Sequence, residues 1–163
     1  MAINEDSDSP CFVPHFEWDE DTVRELVLSY LDGMDIDLLA SHFNKTQHEI
    51  VFKLSEVLLG VSNPKQDTRA KRYRKPWTWA EKSKLWRLYA VRNPIHLIAA
   101  KLGRDELGVC FKLLSEQIVI LPRHVVEKYD LDQDDFAVQS ESDYKVPVCS
   151  NCLDVVMYCK CKL

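Results

Sequence analysis

Glycine is scarce in this chain, with 4 among 163 residues, and nothing in it matches the Gly-rich loops that cradle phosphates. No run of 18 apolar residues exists, which excludes a transmembrane helix of ordinary length. The first ten residues, MAINEDSDSP, are acidic and polar where a secretory signal would be basic and then apolar. The expected location is therefore intracellular: cytoplasmic, or nuclear if the source is eukaryotic. Neither a paired-carboxylate site nor an activated serine is discernible, and the five histidines (His15, His42, His48, His96, His124) pair with no recognisable nucleophile. The expectation is a protein that is not an enzyme and takes no small-molecule substrate. A composition 46% hydrophobic and 29% charged suits a folded, mainly helical protein.

The net charge of −5 conceals an uneven distribution. Residues 1–15 carry −3, residues 16–60 carry −7 and residues 122–163 carry −3, whereas residues 61–121 carry +8. A basic middle between acidic ends keeps a nucleic-acid partner open, although the whole-chain pI near 5.5 argues against one.

Residues 39–54, LASHFNKTQHEIVFKL, reappear in class as residues 98–113, IAAKLGRDELGVCFKL, at an offset of 59. Ala40 falls on Ala99, Ile50 on Val109, Phe52 on Phe111 and Leu54 on Leu113. Upstream, each copy has a tryptophan before a helix start: Asp19 is a plausible N-cap in the first, and Thr78 with Glu81 makes a capping box in the second. Short second helices are expected near Ile36–His42 and Pro94–Lys101. Tight turns follow at Asn44 and Gly103, two residue types that tolerate a left-handed backbone. Third helices then start behind Thr46 with Glu49 and behind Asp105. Each repeat is thus read as three helices, the second and third forming a helix-turn-helix.

The second copy, KPWTWAEKSKLWRLYAVRNPIHLIAAKLGRDELGVCFKLL, resembles the Myb/SANT-like helix-turn-helix repeats in its aromatic helix start and its IA-x-x-LGR run into helix three. The first copy resembles them less clearly. The resemblance implies three-helix repeats that bind DNA or protein, and in DNA-binding members helix three enters the major groove. By spacing, Ile50, Leu54, Val109 and Leu113 belong to the core. Val51, Phe52 and Lys53 then face outward with Thr46, Gln47 and His48; in the second copy Asp105, Glu106, Leu107, Cys110, Phe111 and Lys112 do so. Neither set suits base edges, which favour Arg, Lys, Asn and Gln. Phe52 and Phe111 either fill the seam between repeats or form a partner-binding surface.

The basic signal precedes the second repeat. Lys65, Arg69, Lys71, Arg72, Arg74 and Lys75 lie in NPKQDTRAKRYRKPW, either a solvated linker or an arm along phosphates, with Lys82, Lys101, Arg104 and Lys112 extending the patch. Pro122–Tyr129 reads as a possible short helix, and the stretch after it as an acidic linker.

Residues 149–161, CSNCLDVVMYCKC, place four of the six cysteines as C-x2-C, six residues, C-x-C. Disulfides are unexpected in an intracellular chain, and four thiolates returned by a small β-hairpin fit one closed, structural Zn site at Cys149, Cys152, Cys159 and Cys161, resembling a miniature zinc ribbon. Cys11 and His15, spaced C-x3-H, are a weaker metal pair, and Cys110 a plain side chain.

The expected architecture is mainly α: an acidic N-terminus (1–15), Myb/SANT-like repeat one (16–60), a basic arm (61–75), repeat two (76–121), an acidic linker (122–146) and a four-cysteine zinc module (147–163). The expected function is nucleic-acid-associated regulation, in which the arm and repeat two contact DNA while repeat one and the zinc module engage a protein. The alternative is an adaptor or inhibitor that docks on a polymerase, helicase or similar machine without binding DNA. Replacing Cys149 and Cys152 together by serine should remove stoichiometric zinc from the purified protein, measured by elemental analysis; full retention would refute a four-thiolate site.

Overall fold

Residues 18–138 are described by the computed structural model, so the four-cysteine segment and the Cys11–His15 pair lie outside the described residues. Seven α-helices make up most of what is described: α1 (Glu20–Leu31), α2 (Ile36–His42), α3 (Gln47–Leu54), α4 (Trp79–Ala90), α5 (Ile95–Leu102), α6 (Glu106–Ser115) and α7 (Arg123–Lys128). Among these residues there is no β-strand, only an isolated bridge between Leu121 and Val138. None of the helices is long and apolar enough to cross a membrane.

The first three helices begin 59 residues before the next three, the offset found in the quoted stretches. Local chemistry explains the match. Asp19 accepts from the Thr22 amide at the start of α1, and capping boxes, Thr46 with Glu49 and Thr78 with Glu81, open α3 and α4. Asn44 (φ 50°) and Gly103 (φ 66°) make the left-handed turns before the third helices, and the Lys45 and Arg104 amides that follow them bond to the carbonyls of Ala40 and Ala99. Two details differ from expectation. Pro94 sits at the N-cap of α5, one place earlier than expected, and Asp105 caps α6 by position without a side-chain bond.

Equivalent positions build the core: Leu26 and Leu85, Tyr30 and Tyr89, Ile36 and Ile95, Leu39 and Ile98, Ile50 and Val109, Leu54 and Leu113 are all buried. A fully buried Leu, Ile or Val contributes about 1.5–3 kcal/mol.

The third helices do not project into solvent. Helix α3 packs on α6, and its continuation, a π-helical turn over Ser55–Leu59 closed by left-handed Gly60, packs on α6 as well. Val51 and Cys110, matched by the offset and expected outside, are both 0% exposed, and Leu107 is buried too. The expectation fails because a lone three-helix unit leaves that face open, whereas here each repeat closes the other. Phe52 and Phe111 are half-buried and pack against the core. The Tyr30 hydroxyl crosses between repeats to donate to the Leu114 carbonyl (2.7 Å), and burial pushes its pKa up.

Helix α7 buries Val125 and Val126 and ties back to the first helix through Lys128 and Glu20 (2.8 Å). Because the two repeats share one core, thermal unfolding should be a single transition. Leu113→Ala should cost about 2–5 kcal/mol; two separate transitions in calorimetry would refute the shared core.

Candidate nucleic-acid interface

The segment between the repeats is folded against the second one. Near its start, the Lys65 amide donates to Glu106 (3.0 Å) and the Lys65 carbonyl accepts from the Leu107 amide (3.1 Å), so the arm covers the first turn of α6. Further on, the Arg72 amide donates to the Gly103 carbonyl (2.9 Å), at the turn before that helix. Any helix leaves its first amides without intrahelical partners, and here part of that need is met by the arm.

Arg104 fastens the other end. Its side chain is 3% exposed and donates to the carbonyls of Arg72 (2.7 Å), Lys75 (2.6 Å) and Pro76 (3.0 Å) and to both oxygens of Glu81. Its guanidinium stacks on the Trp77 ring at 4.2 Å. Arg72 donates to the same carboxylate (3.1 and 3.2 Å) and to Pro76. Burial alone would raise the pKa of Glu81, but bonds from Arg72, the Thr78 amide, Arg104 and the Thr78 hydroxyl prevail and bring it down to about 2. The first repeat holds a weaker version of this contact, with Lys45 over Trp18 at 5.4 Å.

The nine basic residues expected at a phosphate surface therefore fall into groups. Arg104 and, in large part, Arg72 hold the arm. Lys82 (3.3 Å) and Lys112 (2.6 Å) share Glu116, whose pKa they lower through hydrogen bonds. Lys101 is half-buried in the last turn of α5. Arg69, Lys71, Arg74 and Lys75 are exposed on the arm, Arg69 near Asp67 (3.7 Å) and Arg74 over the Tyr73 ring (5.5 Å).

The third helices offer little to base edges. On α6 the strip away from the buried residues carries Gly108, Phe111, Lys112 and Ser115; on α3 Gln47 bonds to Asp37, and Lys53 to Glu56 (2.7 Å). Sequence reasoning missed two exposed tryptophans on α4, Trp79 and Trp86. Their spacing of seven, off the face of Leu85, Leu88 and Tyr89, carried the signal.

Comparison of the chain with protein-family models, with curated proteins and with solved structures gives no match. Among the described residues no group of three or more His, Cys, Asp or Glu side chains is placed to hold a metal. Cys110 is buried across the seam from Ser55, whose hydroxyl it approaches without satisfying it, and burial pushes the thiol up to about 11. Such a thiol is a poor nucleophile.

The Glu81 node predicts a pH dependence. A carboxyl whose pKa is lowered by folding adds stability above its unfolded value near 4.5, and that stability is lost as pH falls toward 2. Glu81→Gln should cost about 3–5 kcal/mol at neutral pH by leaving Arg104 poorly compensated. The gap from wild type in urea denaturation should narrow between pH 4.5 and pH 2; a gap independent of pH would refute the node.

Proposed function

We propose that this chain is a non-enzymatic, nucleic-acid-associated protein whose phosphate contacts come from the arm between two Myb/SANT-like repeats, and not from a reading helix. The observation that carries this reading is the contrast between the third helices and the arm. Helices α3 and α6 are packed on one another, while Arg69, Lys71, Arg74 and Lys75 are exposed on a loop pinned at Lys65, Arg72 and Lys75. A pinned loop loses little conformational freedom on binding, which favours contact. Phosphate contacts of this kind carry no sequence information, so weak sequence preference is expected. Under this reading the zinc module and the acidic first repeat serve a protein partner in a regulatory assembly.

The adaptor reading rests on a different surface. Leu38 is 57% exposed on α2 just after Asp35 and Asp37, a small apolar point in an acidic field that suits a basic protein partner.

Polarisation titration with random-sequence duplex separates the two. If the four exposed arm cations each neutralise one phosphate, log K should fall against log salt with a slope of about −3 to −4. Changing Arg69, Lys71, Arg74 and Lys75 together to glutamine should abolish binding at about 50 mM salt. Wild-type protein that binds no nucleic acid at that salt would leave the adaptor reading in its place.

A further inference from the structure

Helix α4 carries more tryptophan than its core uses. Trp79 is 82% exposed and Trp86 52% exposed. Seven residues apart on a helix, they lie within about 20° of one another and about 10.5 Å apart along the axis. Ser83 and Ala90 share their stripe, and both side chains are small. The first repeat has nothing comparable, since the matching residues on α1 are the acid Glu20 and the wholly buried Val27. The shared fold therefore does not require tryptophan at either position.

Charge beside the stripe points to the occupant. The only acid on α4 is Glu81, and Arg72 and Arg104 engage it. The helix also carries Lys84 and Arg87, with Lys82 held by Glu116, and the arm runs directly into it through exposed Arg74 and Lys75. Trp79 follows Lys75 by four positions, a reach of at most about 14 Å along the chain. Cations that track a backbone, leading into aromatic faces with small neighbours, are the elements of single-strand recognition: phosphates on the cations, bases on the rings. A duplex keeps its base faces inside the stack, so exposed indoles gain from unpaired bases alone.

We propose that Trp79 and Trp86 form a base-stacking platform for single-stranded nucleic acid whose backbone lies on Arg74 and Lys75. This rests on the nucleic-acid reading above and adds the strand state of the ligand.

The test uses the full chain, a labelled oligothymidylate and a random-sequence duplex at low salt. Replacing Trp79 and Trp86 together by alanine should weaken oligothymidylate binding about tenfold or more. Duplex binding and the melting temperature should stay unchanged, and the double phenylalanine variant should keep most of the single-strand affinity. Oligothymidylate should quench the tryptophan emission of the wild type more than that of the alanine variant. If the alanine variant binds oligothymidylate as tightly as the wild type, the platform is overturned while the phosphate-binding arm stands. If the wild type binds neither ligand, both readings fall.

Discussion

One carboxylate holds the second repeat to the segment before it. Glu81 caps α4 through the Thr78 amide and receives both Arg72 and Arg104, so a helix start, the arm and the turn before α6 meet at a single side chain. Removing a guanidinium from water costs several kcal/mol. Arg104 offsets that cost with three backbone carbonyls, a bidentate carboxylate and the Trp77 face, a set that leaves little of its donor capacity unused. Such a node contributes specificity of arrangement as much as net stability. It fixes the path of residues 72–76, which would otherwise be a polar, like-charged segment with every reason to stay solvated.

The same position in the first repeat shows what the node adds. There Thr22 stands where Glu81 does, and Lys45 where Arg104 does. The cation–aromatic contact persists, since Lys45 lies over Trp18, while a carboxylate at that position is absent. A lysine makes no planar fork and so cannot gather several carbonyls at once. The two copies share one helical arrangement and differ at its entry: the first is acidic and plainly capped, the second ties down a basic loop. Their third helices, in contrast, have become alike in being covered. Val51 and Cys110 sit at matching positions in the seam, which is where two units too small to be stable alone find their missing core.

What could be read in advance follows the range of the interaction. Caps, left-handed turns and helix starts depend on residues within four positions of each other, and the pattern around Thr46, Thr78, Asn44 and Gly103 was legible for that reason. Long-range closure was not. Val51 and Cys110 lie beside the core stripe, and only the arrival of the other repeat decides that they are buried; Phe52 and Phe111, next to them, stop half-way. Arg104 misled in another way: an arginine after a turn reads as a surface cation until a carboxylate 23 residues upstream is brought to it. Trp79 and Trp86 were legible in principle from a helical projection, but tryptophan reads as core by habit. The four cysteines expected to bind zinc, Cys149, Cys152, Cys159 and Cys161, lie outside the described residues.

Formal charge and available charge are therefore different quantities in this protein. The middle segment is strongly basic by count, yet two of its arginines are spent on Glu81 and two of its lysines on Glu116, so the positive field at the surface is smaller and more local than the count implies. The cations that remain exposed on the arm, Arg69, Lys71, Arg74 and Lys75, lie on a loop whose backbone is held by Arg104 and Arg72. Arg104 and Arg72 thus hold Arg74 and Lys75 in a fixed relation to α4. Under the proposed reading, an arm held beside two exposed indoles suits a ligand that presents both charge and flat apolar surface, as an unpaired nucleic-acid strand does.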